Sequence, residues 1–395
     1  MLLSNKPLFL HEDYDSYFFN RKNDIKKIKY QINAVKESLP QQLLLVGYRG
    51  VGKTYLLKKI MNELDQSIIC TYIDILQILS LQKENLSIED ILIDLLDNMN
   101  SSINNKDYSK SIKSKIILLI DKLKLNDYDF NDCAELFKIP IPKSETNYKK
   151  LAKFVMEFPQ HVVDTVDGIK GFVIIIDEFQ MLDEMNHLDK FFGLIRSFNQ
   201  LQHNVSYIFT GSISASSEII DFINGESSAF GSRLQQITIK PFSKEETRAY
   251  FNECMSEINF TEDGFDRFYK CTQGIPLYIN SFYNVMDSNV CYNEDVVKDA
   301  FFSNMEQILF KWVKIWSTLS DNEKVIVKTL ADEDNLSWTV LLNKSGRSRS
   351  TFNKYLNTLI NKGILKHYGG KYSISEDMLK IWLKHEKEIY GFYPL

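Results

Sequence analysis

Eight residues restrict the possible folds of this chain more than any others: Gly47-Tyr48-Arg49-Gly50-Val51-Gly52-Lys53-Thr54. They fit the pattern G-x-x-x-x-G-K-[ST]. The apolar run Gln41-Gln-Leu-Leu-Leu-Val46, of strand length, precedes them, and Tyr55-Leu-Leu-Lys-Lys-Ile-Met-Asn-Glu-Leu64 follows with apolar residues at helical spacing. A strand that feeds a glycine loop and then a helix aims backbone N–H groups and the positive end of the helix dipole at a polyphosphate. The run therefore predicts nucleoside triphosphate binding by Gly47, Arg49, Gly50, Val51, Gly52, Lys53, Thr54 and Tyr55. Lys53 is expected to reach the β- and γ-phosphates, and the Thr54 hydroxyl to take a Mg²⁺ position.

The other half of such a site lies at Phe172-Val-Ile-Ile-Ile-Asp177-Glu178. A continuous apolar run is what a parallel strand covered on both faces requires, and ligands bind beyond the carboxyl ends of such strands. In P-loop ATPases the first carboxylate, here Asp177, holds Mg²⁺, and the adjacent one, here Glu178, polarises the attacking water as general base. The pair places the chain in the glutamate-using division of P-loop enzymes, apart from kinases and small GTPases. The next apolar run, Ser206-Tyr-Ile-Phe-Thr210, ends in Gly211-Ser212, so Thr210 or Ser212 is placed to contact the γ-phosphate or the water, or else forms a plain turn. Arg233, just before the last expected strand, is either a finger reaching a neighbouring subunit's nucleotide or a solvated loop residue.

Around these motifs, residues 41–240 alternate strand and helix patterns, which predicts an α/β, three-layer parallel sheet with strands near 41–46, 67–73, 172–177, 205–210 and 235–239. A helical insertion is expected over about 80–170 and reads as scaffold. Residues 243–302 read as a helical lid, with Ser243 and Glu246 as a capping box, and 303–395 as a small C-terminal domain. The division is thus 1–242, 243–302 and 303–395. At 395 residues the chain can bury a sizeable core. No apolar run reaches the roughly 18 residues of a membrane span, and the N-terminus lacks the apolar segment of a signal peptide. Five scattered cysteines without C-x-x-C spacing argue for a reducing compartment and against a zinc site. A cytoplasmic location is expected.

Taken together, these features resemble a prokaryotic family of AAA+-like ATPases, the archaeal ATPase domain, related to the STAND signalling NTPases. The resemblance spans about residues 15–290. Phe18-Phe-Asn-Arg21-Lys-Asn-Asp24-Ile25 is similar to the family's opening motif, which implies that Arg21 packs near the adenine. The phosphate loop, Ile176-Asp-Glu-Phe-Gln180 and Gly211-Ser212 follow the family pattern. The family's Gly-Arg pair appears as Gly231-Ser-Arg233, with one residue inserted, and its lid motif as Thr272-Gln-Gly274-Ile-Pro276, with Gln273 in place of a glycine. The resemblance implies that Pro276 closes on the nucleotide. It also implies ATP and Mg²⁺ as ligands, with Lys53, Glu178, Arg233 and Ser212 as catalytic candidates and Thr54 and Asp177 as the metal's.

From residue 318 onward the order of elements is that of a winged helix. Ser320 and Glu323 open a first helix as a capping box, Ser337 to Lys344 gives a second, and a turn at Ser345-Gly346 leads to a third, about Ser348 to Asn361. A hairpin around Gly369-Gly370 then makes the wing. Charge supports a polyanion contact here. The chain carries 47 basic and 52 acidic residues, yet from Lys344 to Lys371 there are seven basic residues and no acidic one. Without that window 40 basic residues face 52 acidic, a balance of −12. Helix-turn-helix modules place the second helix of the pair in the major groove, so Arg347, Arg349, Asn353, Lys354 and Asn357, with Lys371 on the wing, are candidate contacts to duplex DNA. Winged helices also dock proteins. Three readings follow: an ATPase coupled to DNA through the winged helix, with nucleotide-dependent oligomers; a nucleotide-gated switch docking a partner protein, as related ATPases do in defence and mobile-element systems; or a replication-initiator-like loader.

Overall fold

The computed structural model describes residues 6–8, 17–81, 87–105, 114, 148–185, 188–211 and 234–394. Its centre is a parallel sheet of β1 (Gln42–Val46), β2 (Ile68–Asp74), β3 (Gly171–Asp177), β4 (Val205–Gly211) and β5 (Leu234–Thr238), in the order β2-β3-β4-β1-β5. The five strands lie within two residues of their expected positions. All seven residues of β3 are buried, as a strand with helices on both faces demands.

Alternation along the strands sorts side chains between two cores. Leu43, Leu45, Val173 and Ile175 face one layer, where they meet Ile28 and Ile32 of α1 (Lys22–Asn33) and Leu56, Leu57 and Ile60 of α2 (Lys53–Asn62). Leu44, Val46, Ile174 and Ile176 face the other. That layer is built by α3 (Ile75–Leu81), α4 (Ile88–Asn105), α5 (Tyr148–Thr165) and α6 (Leu188–Asn199). The described helices of the inserted stretch, α4 and α5, are therefore part of the sheet's own cover. Their apolar faces supply Leu92, Leu96, Phe154 and Phe158 to it.

After β5 the chain becomes helical: α7 (Lys244–Cys254), α8 (Glu262–Thr272), α9 (Pro276–Tyr283), α10 (Glu294–Ser303), α11 (Met305–Ile308) and α12 (Phe310–Thr318). Two short strands, β6 (Asn259–Phe260) and β7 (Cys291–Tyr292), pair in parallel among them. The Ser243–Glu246 capping box is formed in full at the start of α7. Next come α13 (Asp321–Asp332), β8 (Leu336–Ser337), α14 (Trp338–Ser345), α15 (Arg349–Asn361), β9 (Leu365–Tyr368), β10 (Lys371–Ile374) and α16 (Asp377–Tyr390). The β9–β10 hairpin, with β8 beside β10, is the wing, and α14–α15 is the helix-turn-helix. Among the described residues no helix is long and apolar enough to cross a membrane.

The lid helices and the winged helix share one continuous apolar core, running from Phe242 to Leu383. Trp316 and Trp382 meet edge to face within it at 6.1 Å, and the Trp316 indole donates to the Pro394 carbonyl at 3.2 Å. Truncating a buried tryptophan costs about 3–5 kcal/mol. Trp316→Ala is therefore expected to lower the melting temperature, and because the core is shared, lid and winged helix should lose structure in one calorimetric transition.

Candidate functional site

Strand register collects the first set of candidates. Asp74 of β2 pairs with Asp177 of β3, which pairs with Thr210 of β4, while Val46 of β1 pairs with Gly211. The carboxyl ends of these strands thus lie level, and the loop from Gly47 to Gly52 leaves from the same edge. Gly50 (φ 83°) and Gly52 (φ 94°) adopt left-handed conformations that turn the backbone back on itself. Gly50 has a second reason to lack a side chain, since a Cβ there would lie 2.7 Å from the Cβ of Leu277.

Lys53 opens α2 and is 5% exposed. Its ammonium bridges the loop, donating to the carbonyls of Gly47 at 2.9 Å and Tyr48 at 3.1 Å. Burial pushes it down to about 8, against the opposing pull of Glu178 and Asp177. The Thr54 hydroxyl donates to Asp177 Oδ2 at 3.0 Å, and the Tyr72 hydroxyl donates to the same oxygen at 2.8 Å. Burial and then the neighbouring Glu178 hold Asp177 above the usual carboxylate range. Glu178 itself sits at φ 52°, a rare conformation for a side-chain-bearing residue and one that concentrates at functional sites. Its carboxylate accepts from the Gln180 amide. Beside the two carboxylates, Thr210 Oγ1 and Gln180 Oε1 are buried without a hydrogen-bond partner among the described residues.

Of these groups Lys53, Thr54 and Glu178 line the polar end of a cavity of about 350 Å³, and Asp177 is buried behind Thr54. The opposite end is apolar, with Leu8, Phe19, Phe242 and Tyr250 along it, and Val51, Tyr55 and Pro276 also line the wall. Arg21 lies at this end. Its guanidinium covers the Phe242 ring at 4.7 Å and donates to the carbonyls of Lys240 at 2.7 Å and Val51 at 3.0 Å. Pro276 is the first residue of α9, where a missing N–H costs nothing. The next residue, Leu277, donates its N–H to the Gly50 carbonyl at 3.2 Å, so the lid rests directly on the loop. Ser212 and Arg233 lie outside the described residues.

Three contributors to this region carry no signal in the sequence motifs. Tyr72 is one residue in an alternating strand. Glu376 directly precedes the last helix of the winged domain without capping it, and its carboxylate accepts from the Arg49 N–H at 3.3 Å and from the Tyr278 hydroxyl at 2.8 Å. Lys311, on α12, lines the cavity.

On the winged helix, Arg347, Arg349, Lys354, Asn357 and Lys371 are exposed. Asn353 is half-buried and accepts from the Trp338 indole at 2.9 Å, and the Arg349 guanidinium lies 5.2 Å from the centre of the Trp338 ring. Among the described residues, two of the seven basic residues in the window are paired with acids: Lys362 with Glu323 at 2.8 Å, and Lys344 with Glu333. Helix α15 packs against the 3₁₀ segment Phe179–Met185, which directly follows Glu178.

A family model described as an ATPase domain predominantly from Archaea matches residues 18–282, and one described as a winged helix-turn-helix DNA-binding domain matches 319–366. No curated protein matches the chain. Among solved structures, a Walker-type ATPase of Pyrococcus abyssi is 16% identical with a TM-score of 0.61, over 95% of this chain and 99% of that one. The Aeropyrum pernix ORC1 protein in complex with DNA is 12% identical with a TM-score of 0.47, over 97% and 96%. A RuvB variant of Thermotoga maritima is 12% identical with a TM-score of 0.40, over 96% and 97%. At such identities the first likeness speaks for the fold alone.

Proposed function

Because the chain belongs to the family of ATPase domains found predominantly in Archaea, we infer that it binds and hydrolyses ATP with Mg²⁺ and couples its nucleotide state to DNA binding by the winged helix. The observation that carries this reading is the convergence of Lys53, Thr54 and Glu178 at one end of a cavity whose other end is aromatic, with Asp177 hydrogen-bonded to Thr54 directly behind them. Phosphates suit the loop amides and the buried ammonium, and a purine suits the apolar end beside Phe242 and Tyr250.

Thr54 and Asp177 offer two hard oxygen donors 3.0 Å apart, a donor set that fits Mg²⁺. Bound there, Mg²⁺ would supply charge neutralisation across the β- and γ-phosphate oxygens. Lys53 then binds the phosphates that its ammonium is held ready to meet, Arg21 closes the loop's outer flank at Val51, and Pro276 and Leu277 keep solvent from the loop. Glu178 takes the proton of the attacking water. Thr210, with a buried hydroxyl free of partners among the described residues, is positioned to orient that water. For Ser212 and Arg233 the roles are those expected from their places in the sequence, contact to the γ-phosphate and a finger to a neighbouring subunit.

Coupling is supported by two contacts between the winged helix and the nucleotide site: Glu376 on the Arg49 amide, and α15 against the segment after Glu178. Arg347→Glu combined with Arg349→Glu is expected to lower duplex DNA affinity by roughly 10²-fold and the salt slope by about 2, with ATP hydrolysis in the absence of DNA unchanged. Fluorescence anisotropy across a salt series measures both. Wild-type DNA affinity in that variant removes the DNA reading. The pairing of Lys344 and Lys362 with acidic residues reduces the free positive charge of the window, and it favours as second reading a winged helix that docks a protein. Purification with nuclease treatment separates them: a stoichiometric protein that survives it supports docking, and loss of all bound material supports DNA.

A further inference from the structure

Lys311 is a cation that neither the phosphate loop nor the lid motif accounts for. It lies on α12, the helix that leads from the lid into the winged helix, and it lines the same cavity as Lys53 and Glu178. Among the described residues its ammonium makes no hydrogen bond or ion pair. Desolvation pushes its ammonium below the usual lysine range, and Arg49 adds to that, while Glu178 and Glu376 pull the other way. A half-buried ammonium in that setting gains from an anion placed beside it.

The residue after it fixes its position. The Trp312 indole donates to the Tyr278 hydroxyl at 2.6 Å, Tyr278 donates to Glu376 Oε2 at 2.8 Å, and Glu376 Oε1 accepts from the Arg49 N–H at 3.3 Å. Four segments meet in this chain of bonds: linker helix, lid, winged helix and phosphate loop. Glu376 is 8% exposed, and its carboxylate holds a loop amide, the kind of donor a phosphate oxygen takes in such loops. A terminal phosphate arriving at the loop therefore brings like charge against Glu376 and opposite charge to Lys311.

The geometry points to a sensor of the terminal phosphate built outside the ATPase core: Lys311 as a direct ligand of the γ-phosphate, and Glu376 as the carboxylate that phosphate displaces from the loop. This rests on the reading of the cavity as a nucleotide site. ADP leaves the Glu376–Arg49 contact in place, and the winged helix stays docked. ATP moves the ammonium and the carboxylate in opposite senses, and the strain falls on α12 and on the wing-to-helix turn that carries Glu376.

The test compares ATP and ADP affinities, by calorimetry on the full chain with Mg²⁺, in wild type, Lys311→Ala, Lys311→Arg and Glu376→Gln. Lys311→Ala is expected to weaken ATP about tenfold, the loss of one charge-assisted contact, and to leave ADP within about twofold; Lys311→Arg should restore most of the loss. Glu376→Gln keeps the shape and the bond from Tyr278 but removes the buried charge, so ATP should bind more tightly and ADP about as before. Equal changes for ATP and ADP in Lys311→Ala, or none, overturn the ligand role. An unchanged ATP-to-ADP ratio in Glu376→Gln overturns the displacement. If wild type binds neither nucleotide, it is the nucleotide-site reading that fails.

Discussion

Lys53→Ala is expected to abolish detectable ATP binding while leaving the fold intact. The ammonium is buried at the start of α2 and bridges the carbonyls of Gly47 and Tyr48, so it both braces the loop and supplies its one buried positive charge next to the backbone amides. A charge-assisted hydrogen bond to phosphate contributes about 1.5–3 kcal/mol, which is about 10- to 150-fold in affinity. Loss of the brace adds to this, because Gly50 and Gly52 sit in conformations that only the closed loop requires. Stability should move little, because removing the side chain also removes the cost of keeping a charge away from water. A folded variant by circular dichroism, with no heat of ATP binding at millimolar nucleotide, is the expected pair of results. Binding at wild-type affinity would remove Lys53 from the site.

Much of the architecture was legible in the residues because each element announces itself locally. The sheet strands are continuous apolar runs such as Phe172–Ile176, and burial on both faces is what such runs need. The capping boxes at Ser243 and Ser320 are read directly from spacing, and both form. The winged helix follows from the order of three helices and a Gly-Gly hairpin. What could not be read is whatever depends on contact between distant segments. Glu376 looks like an ordinary acidic residue ahead of a helix, and only packing brings it to Arg49, 327 positions away. Lys311 occupies a helix whose neighbours Trp312 and Trp316 read as core, and nothing in its spacing separates a cavity lysine from a solvated one. The basic window misleads in the opposite sense: composition counts Lys344 and Lys362 as free charge, whereas folding sets Glu333 and Glu323, from outside the window, against them.

Glu178→Gln is expected to separate binding from hydrolysis. The substitution keeps the volume and the left-handed backbone at φ 52° but cannot accept a proton at neutral pH. General-base catalysis contributes typically 10²–10⁴-fold, and single-turnover hydrolysis should fall by about that factor. ATP affinity should hold or rise, because two adjacent carboxylates both repel the phosphates and one of them is now neutral. The same side chain bears on the basal rate. Glu178 accepts from the Gln180 amide, and the segment that carries Gln180 is the one against which α15 packs. A winged helix that leaves this segment would change how the carboxylate is held, so hydrolysis and DNA occupancy should respond to each other in wild type, and DNA should lose its effect on turnover in Glu178→Gln. Wild-type hydrolysis by Glu178→Gln would mean that another group activates the water, and Asp74, level with Asp177 on the neighbouring strand, is the nearest carboxylate by register to take its place.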